Sequence, residues 1–164
     1  MQRDPFIEET PFFTEEHARL ATSVANFAAD EIEPHAHKEE AASDENFRSL
    51  VALLAQTGLL NYSVARADGL PLDARSLCVV REALSYYSPL ADLAFVMQGL
   101  GTYAISLAAP EHVRDFWLAR AASGRAIAAF ALTETQAGSD VAAIETTARR
   151  DGDAYVIDGH KRFI

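Results

Sequence analysis

The sequence predicts an α+β fold: an N-terminal antiparallel helical bundle over residues 1–125, then the beginning of an antiparallel β domain over 126–164. Three observations predict it. Apolar residues recur at helical spacing through the first part, between capping residues and glycine or proline stops. At Ala126 the period changes to short β-rich runs. Two Asp-Gly pairs, Asp151-Gly152 and Asp158-Gly159, punctuate those runs as hairpin signals.

Thr14 caps the first helix, and Glu15 and Glu16 suit the positive end of its dipole. Leu20, Val24, Phe27, Ala28 and Ile32 form one apolar stripe, which Pro34 kinks or ends. Ser43 or Asp44 starts a second helix with Phe47, Leu50, Val51 and Leu54 inward and Gly58 as its stop. Asp73 caps a third, in which Leu77, Val80, Arg81 and Leu84 keep helical spacing up to Ser88-Pro89. The fourth, Leu90 to about Ala109, is apolar nearly all round and reads as buried in the bundle. Its Met97, Gln98, Leu100, Gly101 and Tyr103 read as bundle core, and Gly99 and Gly101 as points of close packing or a ligand-facing surface. Pro110 suits the first position of a fifth helix, running through Phe116, Trp117 and Leu118 to Ser123-Gly124. Beyond it, 126–133, 144–150, 154–157 and 161–164 read as four strands with two tight turns. The last ends on Ile164 with an open edge, so further polypeptide or another chain is expected to complete the sheet.

The formal charge is −10, from 14 Lys and Arg against 24 Asp and Glu. Such a surface repels phosphate backbones and anionic lipid, so neither nucleic acid nor a membrane is expected as a partner. A helix end or backbone nest still leaves room for one phosphate-bearing ligand. No apolar run reads as long enough to span a membrane, and MQRDPFIEETPFF lacks the features of a signal peptide, so a cytoplasmic location is expected. Cys78 is the single cysteine, which excludes an internal disulfide; in Leu77-Cys78-Val79-Val80 it reads as a small buried residue. Glu33, His35, His37, Glu39 and Glu40 read as solvated helix-end charge rather than a metal site, because helical residues two apart point in different directions.

The informative segment is Phe130-Ala131-Leu132-Thr133-Glu134-Thr135-Gln136-Ala137-Gly138-Ser139-Asp140. It runs from a strand into a turn that offers hydroxyls at Thr133 and Ser139 and close backbone approach at Gly138. As bare chemistry it is either a polar turn between strands or a turn that holds a polar planar ring or a phosphate.

This run resembles the signature of the acyl-CoA dehydrogenase family, approximately A-x-T-E-P-x-A-G-S-D. The downstream DGDAYVIDGHKRFI resembles the family's D-G-x-x-Y-x-I-N-G-x-K-x-[WF]-I-[ST] at the expected distance, and the helical region fits in order. The resemblance implies an N-terminal helical domain, a middle β domain, and a C-terminal four-helix domain that this chain lacks. It implies FAD as cofactor. Phe130 and Leu132 match positions that meet the flavin through the main chain, and Thr133 matches the threonine bonded near its reactive nitrogen. Ser139 matches a serine near the cofactor diphosphate and the CoA part of the substrate; Phe163 and Ile164 match an aromatic-isoleucine pair against the flavin.

The implied reaction is α,β-dehydrogenation of an acyl-CoA or carrier-bound acyl thioester, in the setting of fatty acid metabolism. Its glutamate base belongs to the C-terminal domain, so no catalytic residue is expected among these 164 and the chain alone is expected to be inactive. Glu134 reads as loop-positioning. An electron-transfer flavoprotein as acceptor and a homotetramer are implied for the intact protein. An acyl-CoA oxidase or flavin monooxygenase of the same fold, and a truncated non-catalytic subunit, stand as alternatives. Three positions depart from the pattern: Thr135 replaces the usual proline, Asp158 the usual asparagine, and Phe163 the more common tryptophan.

Overall fold

The computed structural model describes residues 5–36, 44–66 and 69–164, less the side chains of Glu8 and His35. The chain divides into two compact units, Met1–Ala129 and Phe130–Ile164.

The first unit is helical: α1 (Pro5–Glu9), α2 (Glu15–Phe27), α3 (Glu33–Ala36), α4 (Asp44–Gln56), α5 (Ala74–Tyr87), α6 (Pro89–Ala108) and α7 (Glu111–Ala122). α5 packs between α2 and α6, and α6 also packs against α4 and α7. The core is built from the apolar stripes read in the sequence: Val24, Ala28 and Ile32; Leu50, Val51 and Leu54; Val80, Ala83 and Leu84. Phe95 of α6 is buried at their centre. The short α1 and a 3-10 turn at Leu59–Tyr62 had no periodic signal.

Thr14 and His17 close the start of α2 together. The Thr14 amide donates to His17 Nδ1 at 3.0 Å, and the Thr14 hydroxyl lies 2.8 Å from the same nitrogen. A ring nitrogen that accepts from an amide leaves Nε2 carrying the proton, so Nε2 donates to Asp73 Oδ2 at 2.7 Å. Asp73 also caps α5, accepting from the Arg75 amide, so one carboxylate joins two helix starts. Burial opposes its ionisation, but the hydrogen bonds from His17, Arg75 and Ser76 outweigh that and hold its pKa well below the usual carboxylate value.

Pro34 acts one turn upstream of itself. It has no N–H for the carbonyl four residues back, and its ring crowds that carbonyl. The helix widens into a π turn over Ala28–Ile32, in which the Glu33 amide reaches back to the Ala28 carbonyl. Gly58 stops α4 in a left-handed conformation, φ +75°. Ser88 accepts from the Ala91 amide at 3.0 Å and so starts α6 as well as ending α5, with Pro89 in the first turn. Pro110 is the cap of α7 rather than its first residue.

Two expectations about burial are corrected. Cys78 is exposed, because α5 turns Val79 and Val80 inward and leaves its neighbour outside. α6 is buried on one side only: Ala91, Ala94, Phe95, Gln98 and Thr102 face the bundle, while Leu93, Leu100, Tyr103 and Leu107 are exposed, Leu107 to 70%. Counting apolar residues round a helix reports composition, not what covers each face. By length and composition alone α6 also suffices to cross a membrane, with 20 residues and a mean hydropathy of 1.3, contrary to the sequence expectation. It packs here as a bundle helix.

α6 passes close to its neighbours at two glycines. A Cβ at Gly99 would lie 2.6 Å from the Ser63 carbonyl oxygen, and one at Gly101 would lie 2.7 Å from both Ala128 Cβ and the Ala129 oxygen. Alanine in a helix gains about 1 kcal/mol of propensity over glycine. Overpacking against backbone costs about 1–3 kcal/mol. Gly99→Ala is therefore expected to be net destabilising, read as a lower midpoint in urea unfolding; an unchanged or raised midpoint would refute the close contact.

The second unit carries one antiparallel hairpin, β1 (Thr147–Asp151) with β2 (Ala154–Asp158), in the register Thr147 with Asp158 through Asp151 with Ala154. The loop is Gly152-Asp153, and only Gly152 has positive φ, at +61°. That is where a type II′ turn takes its glycine.

Four strands are thus corrected to two among the described residues. Residues 126–133 run without a ladder, and the backbone of the first three is engaged by a side chain instead: Gln98 Nε2 donates to the Ala126 carbonyl and Gln98 Oε1 accepts from the Ala128 amide. Residues 161–164 join the bend by one backbone bond, Arg162 N–H to the Thr133 carbonyl at 2.9 Å, which is not a ladder. Asp158-Gly159 makes no turn; Gly159 instead packs on the Thr146 side chain, where a Cβ would not fit. The sequence pattern reports strand propensity, and a strand also needs a partner.

Candidate functional site

The site lies in the second unit, around the bend after Thr133. Residues 130–133 are extended, with Phe130 exposed and Leu132 and Thr133 half-buried. The Glu134 amide donates to the Ala137 carbonyl at 3.0 Å, which closes the bend. Asp140 accepts from the Ala142 amide and caps a short 3-10 turn at Val141–Ala143. That turn returns the chain to Glu145 and Thr146, beside Glu134.

Glu134 is the centre of the unit and is only 4% exposed. Its carboxylate accepts from Lys161 Nζ at 2.8 Å, the Glu145 amide at 2.8 Å, the Thr146 amide at 3.1 Å and Gln136 Nε2 at 2.9 Å. The Thr146 hydroxyl donates to it as well. Lys161 above all, then the Thr146 hydroxyl and the Glu145 amide, hold its pKa down to about 2 from an ordinary 4.5, against the opposing effect of burial. A carboxylate so stabilised as an anion is a poor proton acceptor at neutral pH, which suits a positioning role.

Lys161 makes a second bond, Nζ to the Leu132 carbonyl at 3.0 Å. With the Arg162–Thr133 bond, this fastens the end of the chain along the outer side of the bend. The next residue, Phe163, has φ +58° and is 89% exposed. Left-handed backbone at a non-glycine residue is strained, and with the ring exposed the segment is held by the Arg162–Thr133 bond beside it.

Of the residues singled out in the sequence, Leu132 and Thr133 are brought together with the segment bearing Phe163 and Ile164. Phe130 precedes them, and Ser139 lies exposed on the same bend. Among the described residues the Leu132 amide and the Thr133 hydroxyl take no hydrogen bond, whereas both carbonyls are engaged. The arrangement engages the Leu132 and Thr133 carbonyls and leaves an amide and a hydroxyl without a partner among the described residues, near an exposed aromatic ring at Phe163. These are the groups that a planar, polar-edged ring and a phosphate require. Lys161 and Thr146 were not singled out. The available signal was the motif itself: Lys161 stands at the lysine of the pattern matched by DGDAYVIDGHKRFI and is one of two lysines in an acidic chain.

Among the described residues no three His, Cys, Asp or Glu side chains gather as metal ligands. His37, Glu39, Glu40 and Ser43 lie outside those residues, as does the His35 side chain.

Two family descriptions match the chain, "Acyl-CoA dehydrogenase, N-terminal domain" over residues 14–125 and "Acyl-CoA dehydrogenase, middle domain" over 129–164. The chain is similar to a 3-(aryl)acrylate reductase of Clostridium sporogenes, at 33% identity over 93% of this chain and 41% of the reductase. It is similar to a probable acyl-CoA dehydrogenase of Mycobacterium tuberculosis, at 30% identity over 92% of this chain and 39% of the relative. Its fold matches the crystal structure of an acyl-CoA dehydrogenase from Bacillus anthracis complexed with FAD, with a TM-score of 0.77 and 30% identity over 93% of this chain and 27% of that one. The chain spans about two-fifths of the length of the curated relatives it matches.

Proposed function

We propose, from the premise that this chain belongs to the acyl-CoA dehydrogenase family, that it supplies the N-terminal helical part and the flavin-facing bend of an FAD-dependent oxidoreductase acting on an acyl-CoA or carrier-bound acyl thioester. The observation that carries the reading is at Leu132 and Thr133: both carbonyls are engaged, while among the described residues the Leu132 amide and the Thr133 hydroxyl take no hydrogen bond.

On this reading the Phe130 and Leu132 main chain and the Thr133 hydroxyl hold the polar edge of the isoalloxazine. Ser139 lies by the diphosphate and the CoA moiety, and Phe163 and Ile164 cover the ring face. Bound FAD supplies a hydride acceptor for the β hydrogen of the thioester. The residues of this chain orient the ring and exclude water from its edge. The base that removes the α proton is assigned to no residue here, since Glu134 is held as an anion by five donors. An electron-transfer flavoprotein as acceptor and a homotetrameric assembly complete the reading.

A second reading has its own support in the identity to the 3-(aryl)acrylate reductase: the same site run in the reducing direction, on an acrylate-type double bond. The test of both is the full polypeptide carrying this sequence. FAD is expected in the supernatant after denaturation, with dye reduction on addition of an acyl-CoA. Reduction of an aryl acrylate by the dithionite-reduced protein, with no dye reduction, would favour the second. Purified protein that neither carries FAD nor takes it up would overturn both.

A further inference from the structure

We propose that Lys161 is a positioning residue for the cofactor: its ammonium group, bonded at once to the Leu132 carbonyl and the Glu134 carboxylate, fixes the bend in the conformation that presents the Leu132 amide and Thr133 hydroxyl. The inference rests on the FAD reading above and adds a residue to it that makes no contact with the ring.

The argument is one of geometry. A flat ring recognises donors set within a few tenths of an ångström, so the residues that present them must themselves be held by a second layer of bonds. At this bend that layer is countable. The Leu132 carbonyl accepts from Lys161 Nζ at 3.0 Å. The Glu134 carboxylate, two residues on, accepts from the same Nζ at 2.8 Å. One charge therefore bridges both sides of Thr133, and with the carbonyl of Leu132 fixed the plane of the peptide joining it to Thr133 is fixed too. Lys161 lies two residues before Phe163, so the same side chain sets the position of the strained aromatic segment. Lys161 is largely buried, with 24% of its side chain exposed, and the carboxylate it meets is 3% exposed. An ion pair so shielded is little screened by salt. Lysine is specific here in one respect: three donors on a compact head reach a carbonyl and a carboxylate together.

The test uses the full polypeptide as apoprotein titrated with FAD, followed by flavin fluorescence and by visible circular dichroism of the bound ring. Lys161→Met is expected to weaken FAD binding on the order of tenfold or more, as for loss of a residue that orients a ligand-binding group, and to alter the visible dichroism. Lys161→Arg, which keeps the charge and several donors, is expected to recover most of the affinity. Because Lys161→Met leaves a buried carboxylate unpaired and the unit could unfold, the double variant Lys161→Met/Glu134→Gln removes both charges. Glu134→Gln alone is the reference, since it loosens the Glu145 and Thr146 amides by itself: the double variant is expected to melt with that reference yet bind FAD more weakly, and an affinity equal to the reference would overturn the proposal. Wild-type affinity and dichroism in the double variant would overturn the proposal while leaving the FAD reading intact. Failure of the wild-type protein to bind FAD would overturn both.

Discussion

Replacing Gln98 with leucine is expected to cost the helical unit about 2 kcal/mol or more, since each polar group left buried without a partner costs about 1–3 kcal/mol. Gln98 is 1% exposed at the centre of α6. Its amide nitrogen donates to the Ala121 carbonyl at 2.9 Å and the Ala126 carbonyl at 2.8 Å, and its oxygen accepts from the Ala128 amide at 2.7 Å. Leucine fills similar space but leaves the Ala126 carbonyl and the Ala128 amide without a partner, while the Ala121 carbonyl keeps the Gly124 amide as a donor at 3.1 Å. Ala121 is buried and Ala126 and Ala128 are half-buried, so water recovers part of the loss at the latter two. A domain is stable by only about 5–15 kcal/mol, so the urea midpoint should fall clearly. Gln98→Glu separates packing from bonding: at neutral pH it keeps the shape and acceptor but turns an anion towards two carbonyls, so it should be at least as damaging. A leucine variant within about 1 kcal/mol of wild type, the size of a single ordinary hydrogen bond, would show that the extended segment is held by something else.

Gln98 also marks where sequence reading stops. Its burial was legible, but the stripe it shares with Ala91, Ala94, Phe95 and Thr102 was not, because α6 is apolar nearly all round. Nor were its partners, because all three are backbone groups and a backbone group has no letter. The caps at Thr14 and Asp73 and the stop at Gly58 were legible because each acts within a few residues of itself. The same locality explains the hairpin at 147–158, and its failure explains Asp158-Gly159. There the glycine serves the approach of Thr146, a residue thirteen positions away that is itself held by Glu134. At the bend, the motif from Phe130 to Asp140 could be read as a binding turn. That Glu134 faces inward and draws Lys161 to the Leu132 carbonyl could not, since nothing in spacing tells a buried motif carboxylate from a solvated one. The π turn ahead of Pro34 is intermediate: the proline announces a disturbance, and its form depends on which carbonyl is freed.

The second unit is expected to loosen in acid, and Glu134 sets the range. Its folded pKa is lowered to about 2 from 4.5. For a carboxylate with a depressed folded pKa, the unfolded state binds the proton more readily, so the contribution is complete above about 4.5 and is lost as pH falls towards about 2. Within that window the opened state, in which the carboxylate takes up a proton, gains on the closed state, in which the carboxylate accepts from the Glu145 and Thr146 amides. Their hydrogen-exchange protection, corrected for intrinsic rates, is expected to fall on the order of tenfold as the charge-assisted bonds are lost. Buried amides of the helical core, such as Leu54 and Leu84, follow a separate acid response set by Asp73, whose pKa is also held low. Glu134→Gln should show the low protection at neutral pH already, and little further change in acid. Its side chain has one acceptor oxygen where the carboxylate has two, and its NH2 would face either the Thr146 and Lys161 donors or the Glu145 and Gln136 donors. If the two amides in the wild-type protein remained protected down to pH 2, or if Glu134→Gln retained the wild-type pH profile, the carboxylate would not be what holds the bend together.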